Sequence, residues 1–542
     1  MLSLIGAFGQ SRAPESVWYV VHPIPAADRT DLRISVTFKM PVDASLVIKL
    51  PTDSYGTPNL HKYVTAFTSN NGTQVTAGKA ESERVVSPNA SGQVSLEYLI
   101  SYDPKELDRY AFAPVTHQTY FSLAGCQWLL QIGDNEQKYN VSVEVAYPPK
   151  GWKFHSSVAR NAEKFQYTAT YREMISTRFG GGGRSYEFEI RGRPVSVFVN
   201  GDFNMPVAKI FAAVERIVRL QRDWFEDYSH PFYQVVINQR GGVIAGTAVK
   251  NQFVCFVRPT VSEHALNILL AHEMFHDWLP NRLDVQIADG DYRFRHEWFT
   301  EGFPTYFAKR ILLDAGLLSA EKFADMVNEE IRELADNPES RATYSTLAAA
   351  MRDKRFTSEH KELAYNRGAL IALNWESQLQ RTTSERDLSG LVRELFKFAA
   401  ARNAKISEEE LFDFARKYGL DGRGDFERHI IRGQPIELNA DVSRLLGKRF
   451  NWVEIDFPSF DPGFDLTDTR QTRIVTGVRA DGPAFRAGLR NGMELVNLRN
   501  SRRGVGWSET RQLIVIARAN GQERTIQLIP HGKPIRLRQI KY

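Results

Sequence analysis

The stretch Leu270-Ala271-His272-Glu273-Met274-Phe275-His276-Asp277-Trp278-Leu279-Pro280-Asn281 decides the reading of this chain. At its centre is His-Glu-x-x-His. On a helix, positions i and i+4 lie about 40° apart around the axis, so His272 and His276 turn both imidazoles toward one point and can share a metal ion. Glu273 then lies beside that ion, placed to accept a proton from a water. The flanks predict a helix. Thr260 and Glu263 stand at capping-box spacing after Pro259, and Pro280 closes the pattern. Ile268, Leu269, Ala271, Met274 and Phe275 supply the apolar surface that would bury it. With this composition, His-acid-x-x-His arises by chance roughly 0.03 times per chain. The bland alternative, two histidines on an ordinary helix, is therefore the weaker reading.

A catalytic zinc needs a third protein ligand and one open position. His296-Glu297-Trp298-Phe299-Thr300-Glu301-Gly302-Phe303 offers donors. Glu301 follows His276 at a distance that leaves room for a loop and a second helix. On spacing alone Glu297, Asp284 and His296 compete with it.

The rest of the chain sets the frame. Its 542 residues are enough for three or four domains. Apolar residues at 42% and charged residues at 25% describe a globular protein and exclude a disordered one. A net charge of +5 is too small for a nucleic-acid-coating protein. Cys126 and Cys255 cannot build a disulfide framework or a cysteine zinc site, and their apolar surroundings predict free thiols. No segment is apolar for long enough to span a membrane. The apolar start, Met1 to Gly9, lacks the basic residues and length of a complete signal peptide. Compartment stays open between periplasm, secretion and cytoplasm, and none of these features sets the oligomeric state.

Residues 16 to 150 alternate like strands, for example Val17-Trp18-Tyr19-Val20-Val21 and Leu32-Arg33-Ile34-Ser35-Val36-Thr37-Phe38. Close turn signals point to an antiparallel sandwich. Gly180-Gly181-Gly182-Gly183 lacks the Lys-Ser/Thr of a phosphate loop and reads as a flexible turn. From about 205 to 440 the periodicity is mostly helical, over Ala208–Trp224 and again over 305–335, 365–400 and 408–419. The last 80 or so residues return to short strands with glycine turns. Arginines at 473, 479, 486, 490, 499, 502 and 503 give this end a basic bias, read as a solvated surface.

His272, Glu273, His276, Trp278 and Asn281, followed by Trp298-x-x-Glu301-Gly302, resemble the gluzincin metallopeptidases, and in particular the glycyl aminopeptidase family related to aminopeptidase N. Ala315-Gly316-Leu317-Leu318-Ser319 and Tyr365-Asn366-Arg367-Gly368-Ala369-Leu370 fit the same pattern. Asp481-Gly482-Pro483-Ala484 through Gly488-Leu489 and Gly492 resembles a bacterial PDZ segment. The resemblance implies a multidomain α+β protein. It consists of an N-terminal β-sandwich over 1–160, a thermolysin-like, mostly helical catalytic domain over 161–444 and a C-terminal PDZ domain over 445–542. It implies Zn²⁺ held by His272, His276 and Glu301, with Glu273 as general base and Tyr365 stabilising the oxyanion. The substrate is then a peptide, cut at its N-terminal end with a preference for small residues.

Three features depart from that pattern or qualify it. Relatives carry Gly-Gly-Leu-Glu-His before the zinc helix, whose Glu holds the substrate amine. Here Gly241-Gly242-Val243-Ile244-Ala245 stands there, with Ile244 in place of the acid. An apolar side chain cannot pair with an ammonium group. This opens two alternatives, a relaxed endopeptidase and a PDZ-bearing scaffold with impaired peptidase activity. The PDZ carboxylate loop, around Gly463, Phe464 and Leu466, would take a peptide C-terminus, yet Asp465 lies inside it. Finally, Pro304 is harmless only if its helix begins near Thr300.

Overall fold

The computed structural model describes residues 14–241, 244–382, 387–446, 450–499 and 512–542. The apolar N-terminal stretch, Gly242, Arg502 and Arg503 lie outside the described residues. The chain divides into two compact units, Met1–Asp277 and Trp278–Tyr542.

The first unit opens with sheets. In Ser16–Pro25, burial alternates along the strand, so Val17, Tyr19 and Val21 turn inward while Trp18 stays half exposed. This strand runs antiparallel to Thr30–Lys39 and parallel to Lys138–Val145 within a six-stranded sheet. With two four-stranded sheets it shares one apolar cluster extending from Val17 to Phe179. Strands Lys164–Thr170 and Arg178–Gly182 complete these sheets, so the β region runs about twenty residues past the expected limit at 160. The glycine run is not a flexible turn. Gly180, Gly181 and Gly182 lie in the buried strand Arg178–Gly182, between Phe154–Ser156 and Tyr120–Ala124. A Cβ on Gly180 would stand 2.4 Å from His155 Nε2 and from the Phe121 carbonyl oxygen, so close sheet contact demands glycine there.

A five-stranded mixed sheet follows, in the order Arg184–Ile190, Arg193–Asn200, Tyr233–Gln239, Gln252–Val257, Ile244–Val249. It lies partly inside the stretch expected to be helical. Its inner strands Tyr233–Gln239 and Gln252–Val257 are parallel and buried nearly throughout, and such strands have continuous apolar sequences with no alternation to read. Helices Val207–Phe225 and Glu263–Phe275 accompany this sheet, joined where the Gln221 amide donates to the Ala271 carbonyl at 2.6 Å. The N-cap of the second helix is Ser262 rather than Thr260; its hydroxyl accepts from the Ala265 N–H. Cys255 is a buried free thiol and Cys126 a half-buried one, 2.9 Å from the Ser54 hydroxyl.

The second unit is helical up to residue 446. Each long periodic stretch divides in two. Gly302–Asp314 and Ala320–Asp336 are separated by Gly316 in a left-handed conformation, which ends the first helix, and by Ser319, which caps the second. Ser358–Thr382 and Leu388–Arg402 are separate helices too. Pro304 is the third residue of its helix, where the missing N–H has no intrahelical partner to lose.

Beyond residue 450 the strands have their own apolar core, including Val475, Ala484, Leu489, Leu495 and Val515. Phe464 and Leu466 belong to that core, so their side chains are not offered to a peptide. The Gly463 N–H donates to Asp461 and the Asp465 N–H to the Thr476 carbonyl, while the Asp465 carboxylate caps helix Leu466–Thr472. The strand pair Asn451–Phe460 and His531–Lys541 is tied to helix Ala320–Asp336. Buried Asn328 exchanges two 2.8 Å hydrogen bonds with the Ile540 backbone, and Asp336 accepts from the Phe460 N–H. No described helix is long and apolar enough to cross a membrane.

Candidate active site

Helix Glu263–Phe275 carries His272 and Glu273, and His276 is its C-cap. The helix is anchored on its buried side by Leu266, Leu270 and Met274. The two imidazole rings are perpendicular with centroids 4.6 Å apart, and their Nε2 atoms are separated by 3.1 Å. Two nitrogens on a tetrahedral zinc, each at ~2.05 Å, would be about 3.3 Å apart. The observed pair is within a few tenths of an ångström of that edge.

Glu301 supplies the third donor. One ligand atom each from His272, His276 and Glu301 lies within 4.8 Å of the others, the only such group of three among the described residues. The competing donors are engaged elsewhere. Asp284 pairs with Lys405 at 2.6 Å, and His296 is buried with its Nε2 3.8 Å from a Glu408 carboxylate oxygen. Glu297, one turn before Glu301, has its carboxyl pushed up by burial and by the Glu301 charge. Two histidines and a carboxylate, with no thiolate, make a donor set suited to zinc that keeps a position open for water.

Glu301 sits between helices Glu297–Thr300 and Gly302–Asp314. Its place depends on a close crossing with helix Ser358–Thr382. A Cβ on Gly302 would come 2.3 Å from the Gly368 Cα, and one on Gly368 would come 1.8 Å from the Trp298 carbonyl oxygen. Tyr365 is one turn before that crossing on the same helix and is 37% exposed.

Glu273 is only 6% exposed. Its neighbour was not legible in the sequence. A Cβ on Gly246, in the edge strand Ile244–Val249, would stand 2.2 Å from Glu273 Cδ and 2.5 Å from its Oε1. The carboxylate therefore occupies space that only glycine leaves free. The one available signal was a glycine inside a strand pattern, which marks a close approach of backbone to something else. Side chains of one strand alternate between faces, so Ile244 lies on the same face as Gly246, toward Glu273, and is 39% exposed. The Gly241 N–H donates to Asp108 at 3.0 Å.

Residues 265–371 match the family model described as M61 glycyl aminopeptidase, a stretch containing the two histidines, Glu273, Glu301 and Tyr365. No curated protein sequence matches the chain at a significant level. Among solved structures, an aminopeptidase N family protein from Idiomarina loihiensis superposes with a TM-score of 0.68 at 14% identity. The alignment covers 97% of this chain and 98% of that one, so the two share a fold from end to end. An M1 zinc metallopeptidase from Deinococcus radiodurans aligns at 15% identity with a TM-score of 0.46, over 79% of this chain and 96% of that one. Yeast LTA4 hydrolase, in complex with bestatin, aligns at 15% identity and 0.45, over 79% and 70%. By class the chain is a zinc metallopeptidase. Within that class it is similar to the aminopeptidase-like M61 enzymes in sequence and to an aminopeptidase N family protein in fold.

Proposed function

We propose that the chain hydrolyses peptide bonds near the N-termini of its substrates, with zinc held by His272, His276 and Glu301. The observation that carries this reading is the three-donor cluster with a buried carboxylate, Glu273, on the same helix. When bound there, zinc supplies Lewis acidity to a water and to the scissile carbonyl. Glu273 takes the proton from the attacking water and delivers it to the leaving amine. Its burial against Gly246 keeps the carboxylate in one place between these two transfers. Tyr365 donates a hydrogen bond to the carbonyl oxygen as charge develops on it. A preference for small N-terminal residues is what similarity to the glycyl aminopeptidases implies.

Ile244 favours a second reading, in which the enzyme also accepts blocked or internal segments. It presents an exposed apolar side chain on the face toward Glu273, where a substrate amine would need an acid. Matched peptides with free and acetylated N-termini separate the two readings. Cleavage of only the free peptides supports aminopeptidase action, and equal cleavage of both supports the relaxed enzyme. Cleavage of neither by zinc-loaded protein overturns both and brings forward the scaffold reading. The C-terminal module is PDZ-like in this account. Its packing is served by the Asn328 and Asp336 bonds, and its loop amides at Gly463 and Asp465 are already occupied.

A further inference from the structure

Within the second unit a cavity of about 630 Å³ opens where helices Ala320–Asp336 and Ser358–Thr382 meet the strand pair Asn451–Phe460 and His531–Lys541. It has the size of a small-molecule site. Its apolar lining comes from Ile331, Leu334, Leu370, Trp452 and Leu537. Its polar lining is dominated by arginines.

Arg367 is the most informative of them. It is 2% exposed. One of its terminal nitrogens donates to the Ser340 and Ala342 carbonyls at 3.1 and 2.9 Å. No carboxylate pairs with it among the described residues. Burial first, and then the charge of Arg341, which lines the same cavity, bring its pKa down to about 10. Arg341 is exposed and also forms no ion pair among the described residues. Arg538, stacked over Trp452 at 5.0 Å, adds a third positive group on the lining. The lone lining carboxylate, Glu437, is exposed and pairs with neither Arg341 nor Arg367. A buried guanidinium facing another cation across a roomy cavity is costly unless an anion enters.

The cavity is also separate from the proposed cleft. Arg367 follows Tyr365 by two positions on one helix, so the two side chains point to different faces. The walls are held by the Asn328 and Asp336 bonds to the strand pair, which makes the cavity a built feature of this unit.

We infer that this cavity binds a carboxylate carrying an apolar body, with Arg367 and Arg341 on the carboxylate and Leu334, Leu370 and Trp452 on the body. Planar guanidinium groups match carboxylates bidentately. Two sources share that chemistry, a free aliphatic acid and the C-terminal residue of a peptide.

The test is calorimetric titration of the full zinc-loaded chain with octanoate, octanamide, N-acetyl-leucine, N-acetyl-leucinamide and inorganic phosphate. Each acid is expected to bind at least tenfold more tightly than its amide. The tighter of the two acids names the source. Arg341→Ala, at an exposed position, should weaken that binding about fivefold or more. Ala335→Trp, which fills the cavity from its wall, should abolish it. Acid binding unchanged in both variants places the ligand elsewhere, on the zinc for example, and overturns the inference. So does equal binding of acid and amide, or phosphate binding as tight as the acids with the same dependence on Arg341.

Discussion

Gly246→Ala probes the active site without replacing a metal ligand or the proposed base. The backbone at Gly246 is ordinary strand, so alanine brings no conformational strain of its own. The new methyl would stand 2.2 Å from Glu273 Cδ, where ordinary contact begins near 3.4 Å. The carboxylate must retreat by about 1.2 Å or the edge strand must move. Displacing a reacting group by about 1 Å costs on the order of 100-fold in rate, equivalent to ~2.7 kcal/mol of transition-state stabilisation. The packing cost to the fold is ~1–3 kcal/mol, a Tm loss of several degrees. We expect kcat to fall about 100-fold, with KM and bound zinc little changed. The assay pairs steady-state cleavage of a free-amine peptide with metal analysis and a melting curve. Ala245→Ser, on the opposite face of the strand, should leave kcat near wild type. A Gly246→Ala protein that holds zinc and keeps kcat within threefold of wild type would refute the view that this glycine makes room for the working position of Glu273.

Other predictions follow from the same geometry. Glu301→Ala should lose zinc, because two imidazoles alone leave the site open, and metal analysis after gel filtration reads the loss directly. Tyr365→Phe should keep zinc and fold and lower kcat by about 100-fold, the usual cost of one oxyanion donor. Glu333 makes a prediction about stability. Burial first, and then the neighbouring charges of Glu329, Glu362 and Glu330, raise its carboxyl to about 8. Between the ordinary value near 4.5 and about 8 the unfolded chain binds fewer protons than the folded one, so stability falls as pH rises through that window. Glu333→Gln should therefore raise Tm at pH 8 and leave it unchanged at pH 4, as melting curves at the two pH values would show.

How much of this was legible in the sequence depended on what each residue had to do. The zinc helix was, because His272 and His276 must repeat at helical spacing and the pattern is rare by chance. The third donor was not legible from spacing, which left Glu297, Asp284 and His296 in competition because a turn's path is not encoded there; the Trp298-x-x-Glu301-Gly302 resemblance pointed to Glu301, which lies with the two histidines. The strands near the N-terminus were readable from alternation in segments such as Ser16–Pro25. The parallel strands Tyr233–Gln239 and Gln252–Val257 were not, since burial on both faces erases alternation. Glycine misled at 180–182, where close sheet contact rather than a turn requires it, and at 246, 302 and 368 it did not say which partner it makes room for. In each case the partner that excludes a Cβ is far away in sequence or on another element, which local patterns cannot report.

The most direct test of the central claim compares wild type with Glu273→Gln for bound zinc and for turnover of a free-amine peptide. With Glu273 as the base beside zinc, both proteins should hold about one zinc per chain, wild type should cut the peptide in a way that a chelator abolishes and zinc restores, and the variant should show no measurable turnover. Turnover by Glu273→Gln at the wild-type rate, or a wild-type chain that cuts peptides without any bound metal, would contradict it.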